Sequence, residues 1–187
     1  MRECGQAAGR RAGIQTADLS KIALAAALTA VGAYLQIPTA IPFTMQTFAV
    51  LTAAGLLGPA RAVAAVGSYL LLGLCGVPVF AGFRSGAGVL LSATGGYLVG
   101  FVFLALVSGL LLRRLGRSVP AMLFSMAAGL FFCYLFGTLW YCYLYASGTG
   151  FLAAAAACVL PYLPAEAVKV ALAILVIRRV GPHLRLT

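Results

Sequence analysis

Charge is scarce along this chain, and nothing else in the sequence constrains the fold as strongly. From Leu19 to Ile177 the only Asp, Glu, Lys or Arg side chains are Lys21, Arg61, Arg84, Arg113, Arg114, Arg117, Glu166 and Lys169. Water-facing surfaces of soluble domains are rich in such residues, usually near a quarter of the composition. Here they make up 9% of 187 residues, against 63% hydrophobic. The exterior must therefore face something apolar, and the mean hydropathy of +1.06 agrees. The formal charge of +10 does not indicate a nucleic-acid-binding face, because the basic residues lie between apolar segments rather than on one polar surface.

Six apolar spans can be counted in this all-α, polytopic membrane chain. The first runs over Leu19–Gln36 and ends at Pro38. The second, Thr44–Leu57, is closed by Gly58 and Pro59, and the third is Arg61–Cys75. The fourth is Gly88–Leu112 and the fifth Pro120–Tyr145. The sixth region, Gly150–Ile177, is interrupted by Pro161 and Pro164, which predicts a short outer segment and then a helix from about Pro164. The second and third are short and read as a tight pair around Gly58-Pro59, with a re-entrant pair as the alternative.

If the N-terminus lies in the cytoplasm, every basic residue except Arg84 and Lys169 falls inside or at the inner boundary. That bias is the one membrane insertion imposes on topology. The expected divisions are a cytoplasmic segment 1–18, a membrane domain 19–178 and a cytoplasmic tail 179–187. The N-terminal stretch lacks a clear cleavage site and is read as retained.

Small residues mark packing faces. Ala23 and Ala27, and Ala26 and Ala30, lie one helical turn apart on the first span. Such faces serve either internal packing or docking of another membrane protein.

Candidate chemistry concentrates near the start of the last helix. Glu166 and Lys169 are three residues apart and share a helix face. Glu166 falls in the first turn, where the helix dipole favours an anion. Lys169 lies deeper and must pair, snorkel or face a cavity. The pair either fixes the helix or lines an outward-facing solute pocket. In the second case Lys169 would hold a substrate carboxylate and Glu166 would accept hydrogen bonds from donors such as a urea nitrogen. Arg84, in a glycine-rich loop, is a candidate rim residue for an anionic solute. Gln46, Tyr69, Thr94 and Tyr97 add polar groups at similar or somewhat deeper levels. The five cysteines form no metal-ligand spacing, and four of them read as packing residues. No P-loop, HExxH or Gly-x-Ser-x-Gly motif is present, so neither ATP hydrolysis by this chain nor another catalytic activity is supported, and no metal or cofactor site is indicated.

Four segments together resemble the BioY family, the biotin-binding S components of energy-coupling factor (ECF) transporters. They are Ile37-Pro-Thr-Ala-Ile-Pro-Phe-Thr-Met-Gln-Thr-Phe48, the Gly58-Pro59 turn followed by Tyr69 to Gly82, Thr94-Gly-Gly-Tyr97, and Pro161-Tyr-Leu-Pro-Ala-Glu-Ala-Val-Lys169. Three positions depart from the family pattern. Ala93 replaces a proline, Ala165 a glycine, and Glu166 an aspartate one methylene shorter. The resemblance implies the six-helix S-component fold in the cytoplasmic membrane, with biotin as substrate near the outer face. It implies partnership with a membrane coupling subunit (EcfT-like) and two cytoplasmic ATPase subunits that hydrolyse ATP on its behalf. It also implies that Glu166 and Lys169 contact substrate, that Gln46 and Tyr97 lie near the pocket, and that Ala23 and Ala27 meet the coupling subunit. An S component for another vitamin or a biotin precursor, or a structural membrane protein without a solute, are the competing readings.

Overall fold

The structure, a computed structural model, describes residues 16–37, 43–145 and 151–183. Helix α1 (Thr16–Tyr34) leads into a two-stranded antiparallel hairpin, β1 (Gln36–Ile37) and β2 (Phe43–Thr44), which pairs Gln36 with Thr44 and Ile37 with Phe43. Then follow α2 (Gln46–Leu57), α3 (Pro59–Leu74), a single turn α4 (Ala87–Leu90), α5 (Gly95–Leu115), α6 (Val119–Leu144), α7 (Phe151–Cys158) and α8 (Leu163–Val180). The N-terminal expectations for residues 1–15, including Arg2, Arg10 and Arg11, lie outside the described residues. So do Pro38 and Arg185.

Local chemistry sets the turns. Gly58 has φ +79, a conformation that a side chain disfavours, and Pro59 then opens α3 where its missing N–H is not needed. The short pair expected around Gly58-Pro59 is thus two helices, of about 18 Å and 24 Å at 1.5 Å per residue. Among the described residues, four stretches are long and apolar enough to cross a membrane: Thr16–Tyr34, Gly95–Leu115, Val119–Leu144 and Leu152–Val180. Helices α2 and α3 fall short of that length, so by this criterion the spans number four, with two shorter apolar helices beside them.

The fourth span is not continuous from Gly88 as expected. The chain breaks between Leu90 and Gly95, with Ser92 Oγ donating to the Val89 carbonyl at 2.6 Å and the Gly95 N–H to the Ser92 carbonyl at 2.9 Å. A Cβ on residue 95 would run into the Leu90 carbonyl, so the tight reversal depends on glycine there. The last region does divide as expected. A 3-10 turn (Leu160–Tyr162) separates α7 from α8, and Pro164 sits in the first turn of α8.

The two ends of the bundle differ in chemistry. At one end Arg61 meets Asp18 at 2.8 Å, joining the starts of α3 and α1, and Arg117 Nη2 donates to the Gly55 carbonyl at the close of α2. Arg113, Arg114, Arg178 and Arg179 occupy the helix ends there. The opposite end holds the hairpin, the loop from Cys75 to Gly86, α7 and the start of α8. Tyr34 donates to the Pro78 carbonyl at 2.7 Å and stacks on Phe83.

Between the ends, small residues set helix spacing. A Cβ at Gly109 would lie 2.7 Å from Pro59 Cα, and Gly129 admits the Ser108 side chain. Such approach replaces the hydrophobic effect as the cohesive factor in lipid. Ala23 and Ala27 are exposed on α1. Ala26 is buried and Ala30 packs against the core. The second pair therefore serves internal packing, and its reading as a docking face is withdrawn.

A buried carboxylate and a divided cavity

The hairpin and the first turn of α2 bring Thr44, Gln46 and Thr47 against the start of α8. The Met45 N–H holds this corner by donating to the carbonyls of Gly32 (3.0 Å) and Leu35 (3.1 Å). The helical spacing of Glu166 and Lys169 then places both side chains inside the bundle, at 4% and 3% exposure, with Lys169 Nζ 2.7 Å from Glu166 Oε1.

Lys169 is fully engaged. Its ammonium donates to Glu166 Oε1, to the Thr44 carbonyl at 2.6 Å and to Thr47 Oγ1 at 3.0 Å, and it lies 3.6 Å from the centre of the Phe43 ring. Three donors meet three acceptors, so none of its protons is left over. Glu166 differs. Its Oε1 accepts from Lys169 and from Thr47 Oγ1 at 3.1 Å. Its Oε2 is buried without a hydrogen-bond partner among the described residues. A buried ionised oxygen left unpaired is costly, and that cost falls when a donor arrives.

Glu166 opens on a cavity of about 50 Å³, whose walls include Phe43, Thr47, Cys133, Tyr134 and Tyr162. A second cavity of the same size is bounded by Gln46, Phe80, Ala81, Arg84 and Thr94. Thr44, Tyr97 and Phe101 border both, so they form the partition between the two. Each compartment has room for only a few water molecules. Lys169 is on neither wall.

The remaining candidates fall around this partition. Tyr97 shares a hydrogen bond with Thr138 Oγ1 at 3.2 Å, and its ring fills the space that a side chain at Gly137 would occupy. Gln46 is satisfied at both ends, donating to the Tyr69 hydroxyl at 2.7 Å and accepting from Thr44 Oγ1 at 3.0 Å. Tyr69 is thus a brace between α3 and α2 rather than part of a wall. Arg84 is exposed at the edge of the second cavity, where its Nε donates to the Ala81 carbonyl at 3.1 Å. Thr94 faces the same compartment and pairs with Ser92 Oγ at 3.0 Å.

Several wall residues carried no signal in the sequence. Cys133 and Cys158 are buried as expected of packing cysteines, yet both border the first cavity; Cys75 is exposed. Phe43 and Tyr162 stack at 5.7 Å and stood within the matched motifs without a side-chain role assigned. The Trp140 indole donates to the Ser92 carbonyl at 3.2 Å and so ties α6 to the break before α5.

The similarities of this chain to known proteins converge on one family. The model of the BioY family matches residues 6–185. The biotin transporter BioY of Thermotoga maritima is 45% identical over 121 residues, covering 64% of this chain and 71% of that protein. A probable biotin transporter BioY of Pyrococcus horikoshii is 36% identical over 163 residues, covering 87% and 94%. Among solved structures, the S-component for biotin from an ECF-type ABC transporter superposes with a TM-score of 0.81 at 26% identity, covering 91% of this chain and 96% of that one.

Proposed function

The chain belongs to the BioY family, and from that premise we propose that it captures biotin and carries it across the cytoplasmic membrane as the S component of an ECF transporter. One observation carries the reading at the level of chemistry. Glu166 lines a cavity within the membrane domain, and its buried Oε2 has no hydrogen-bond partner among the described residues. A cyclic urea presents N–H donors to such an oxygen, and charge-assisted bonds of that kind are the strong ones. Phe43, Phe101 and Tyr134 give apolar surface for the fused rings and chain.

In this reading Lys169 is a positioning residue. It holds the Glu166 side chain in place, while the solute carboxylate runs toward Arg84 in the second compartment. Biotin is larger than either compartment, so binding must part Thr44, Tyr97 and Phe101 and join the two into one site. Gln46, Tyr69 and Thr94 brace or border that joined site.

The six traverses are α1, α2, α3, α5, α6 and α8, with the arginine-rich end in the cytoplasm together with both termini. The exposed pair Ala23 and Ala27 on α1 offers a smooth face to an EcfT-like coupling subunit, and two cytoplasmic ATPase subunits supply the energy. Capture and translocation make and break no covalent bond, so the chain acts as a transporter rather than an enzyme and needs no cofactor of its own.

Calorimetric titration of biotin into the detergent-solubilised protein tests this directly. The native chain should bind tightly, and Glu166→Gln should weaken binding by roughly tenfold to a hundredfold, the worth of one hydrogen bond to a charged group. A well-folded native chain that does not bind biotin would sink the proposal.

A further inference from the structure

The arginine-rich end carries a groove between α6 and α8 that none of these roles uses. Its volume is about 780 Å³. Leu123 of α6 and Ile174 and Leu175 of α8 form an apolar floor, while Arg178, Arg179 and His183 stand at the rim. Leu123 and Leu175 are 47% and 59% exposed, so the floor is continuous with the outward surface of these two apolar helices.

Among the described residues the rim meets no counter-charge. Of the chain's three acids, Asp18 is engaged with Arg61 and Glu166 is buried with Lys169 at the far end, and Glu3 lies outside the described residues. The neighbouring Arg117 is directed to the Gly55 carbonyl. Arg178 and Arg179 are both exposed at the last turn of α8. They therefore face outward at a helix end, beside an aliphatic trough, with no described acid to meet them.

We propose that this groove binds an anionic phospholipid, with an acyl chain on the Leu123–Ile174–Leu175 floor and the phosphate on Arg178 and Arg179. The dimensions agree. Ala171, which also lines the groove, precedes Arg178 by about 10 Å of helix, enough to run from a headgroup into the upper acyl region. Guanidinium groups bind phosphate oxygens in a bidentate fork. Basic pockets between membrane helices select anionic headgroups on the same physical grounds. An acidic segment of a protein would satisfy the rim but would leave the aliphatic floor against polar backbone. A lipid satisfies both parts.

The experiment uses the full-length protein, stripped of lipid in a neutral detergent. It is offered dioleoylphosphatidylglycerol or dioleoylphosphatidylcholine at equal concentration, and retained lipid is counted by native mass spectrometry. The native chain should retain the anionic lipid over the zwitterionic one by roughly tenfold. The preference should collapse toward parity in R178Q/R179Q. Leu123→Trp, which fills the floor and keeps both arginines, should lose phosphatidylglycerol as well. Excess glycerol 3-phosphate should fail to displace the lipid, because the headgroup alone lacks the apolar contact. Monodisperse elution reports folding independently of any reading of the substrate, and if the double arginine variant does not fold, Leu123→Trp decides the matter. Equal retention of the two lipids, an undiminished preference in R178Q/R179Q, full retention by Leu123→Trp, or displacement by glycerol 3-phosphate would each overturn the proposal.

Discussion

Replacing Lys169 with methionine keeps most of the stem and removes the charge. In the native protein the ammonium makes three hydrogen bonds, at 2.6, 2.7 and 3.0 Å, and both members of the ion pair are almost wholly buried. Without it Glu166 retains only the Thr47 hydroxyl among its described hydrogen-bond partners, and the Thr44 carbonyl loses the ammonium. Breaking a buried pair from one side costs about 3–5 kcal/mol, because a charge is left uncompensated. For a chain of this length that corresponds to a fall in melting temperature on the order of 10 °C. Neutralising both members in the variant E166Q/K169M should recover most of the loss, since a neutral pair of similar volume leaves no uncompensated charge buried. Biotin binding should stay weak in both variants. Thermal unfolding of the detergent-solubilised proteins, read alongside calorimetric titration, separates the two effects. The reasoning fails if Lys169→Met melts within about 1 kcal/mol of the native chain, or if the double variant is no more stable than the single one.

Two further outcomes follow from the same geometry. Arg84→Gln should weaken biotin binding while leaving affinity for biotin amide nearly unchanged, because only the acid carries the charge that Arg84 is proposed to meet; equal losses for both ligands would remove Arg84 from that role. Gly109→Ala should destabilise the fold by about 1–3 kcal/mol in thermal unfolding, since its Cβ would meet the Pro59 backbone rather than a side chain able to swing aside, and a neutral result would show that α3 and α5 can separate freely.

The elements most legible in the sequence are those set by local chemistry. Gly58-Pro59 marked a turn because one residue tolerates positive φ and the next needs no donor. Pro164 marked the start of α8 because a proline in the first turn needs no donor. Glu166 and Lys169 stood out because charge is so rare here, and their spacing put them on one face.

Contacts made across long sequence distances were much less legible. In the Gly88–Leu112 run only Ser92, Thr94 and the glycines Gly95 and Gly96 interrupt the apolar residues near the break, too weak a signal to foretell that Leu90 and Gly95 fold back on each other. The period of α1 assigned Ala23 with Ala27 and Ala26 with Ala30 to two faces, but only the packing of neighbouring helices decides which pair stays outside. The saturation of Lys169 was equally hidden, because it depends on Thr44 and Thr47, more than a hundred residues earlier in the chain. Cys133 and Cys158 gave no sign of bordering a cavity, because a thiol in an apolar run looks the same whether it packs or faces a void.

Helix α3 carries a mechanical consequence of its own. At about 24 Å it is shorter than the hydrocarbon layer of roughly 30 Å, yet it shows Leu71, Leu72 and Leu74 outward near its end. Taken as a traverse, as proposed above, α3 requires the bilayer beside it to thin by several ångströms or the whole bundle to lean toward that flank, at a fraction of a kcal/mol per ångström. In that arrangement the molecule is a wedge in an elastic sheet, low on one flank and tall along α5 and α6, and membrane thickness is a load on its tilt, applied by the lipids before any other protein touches it.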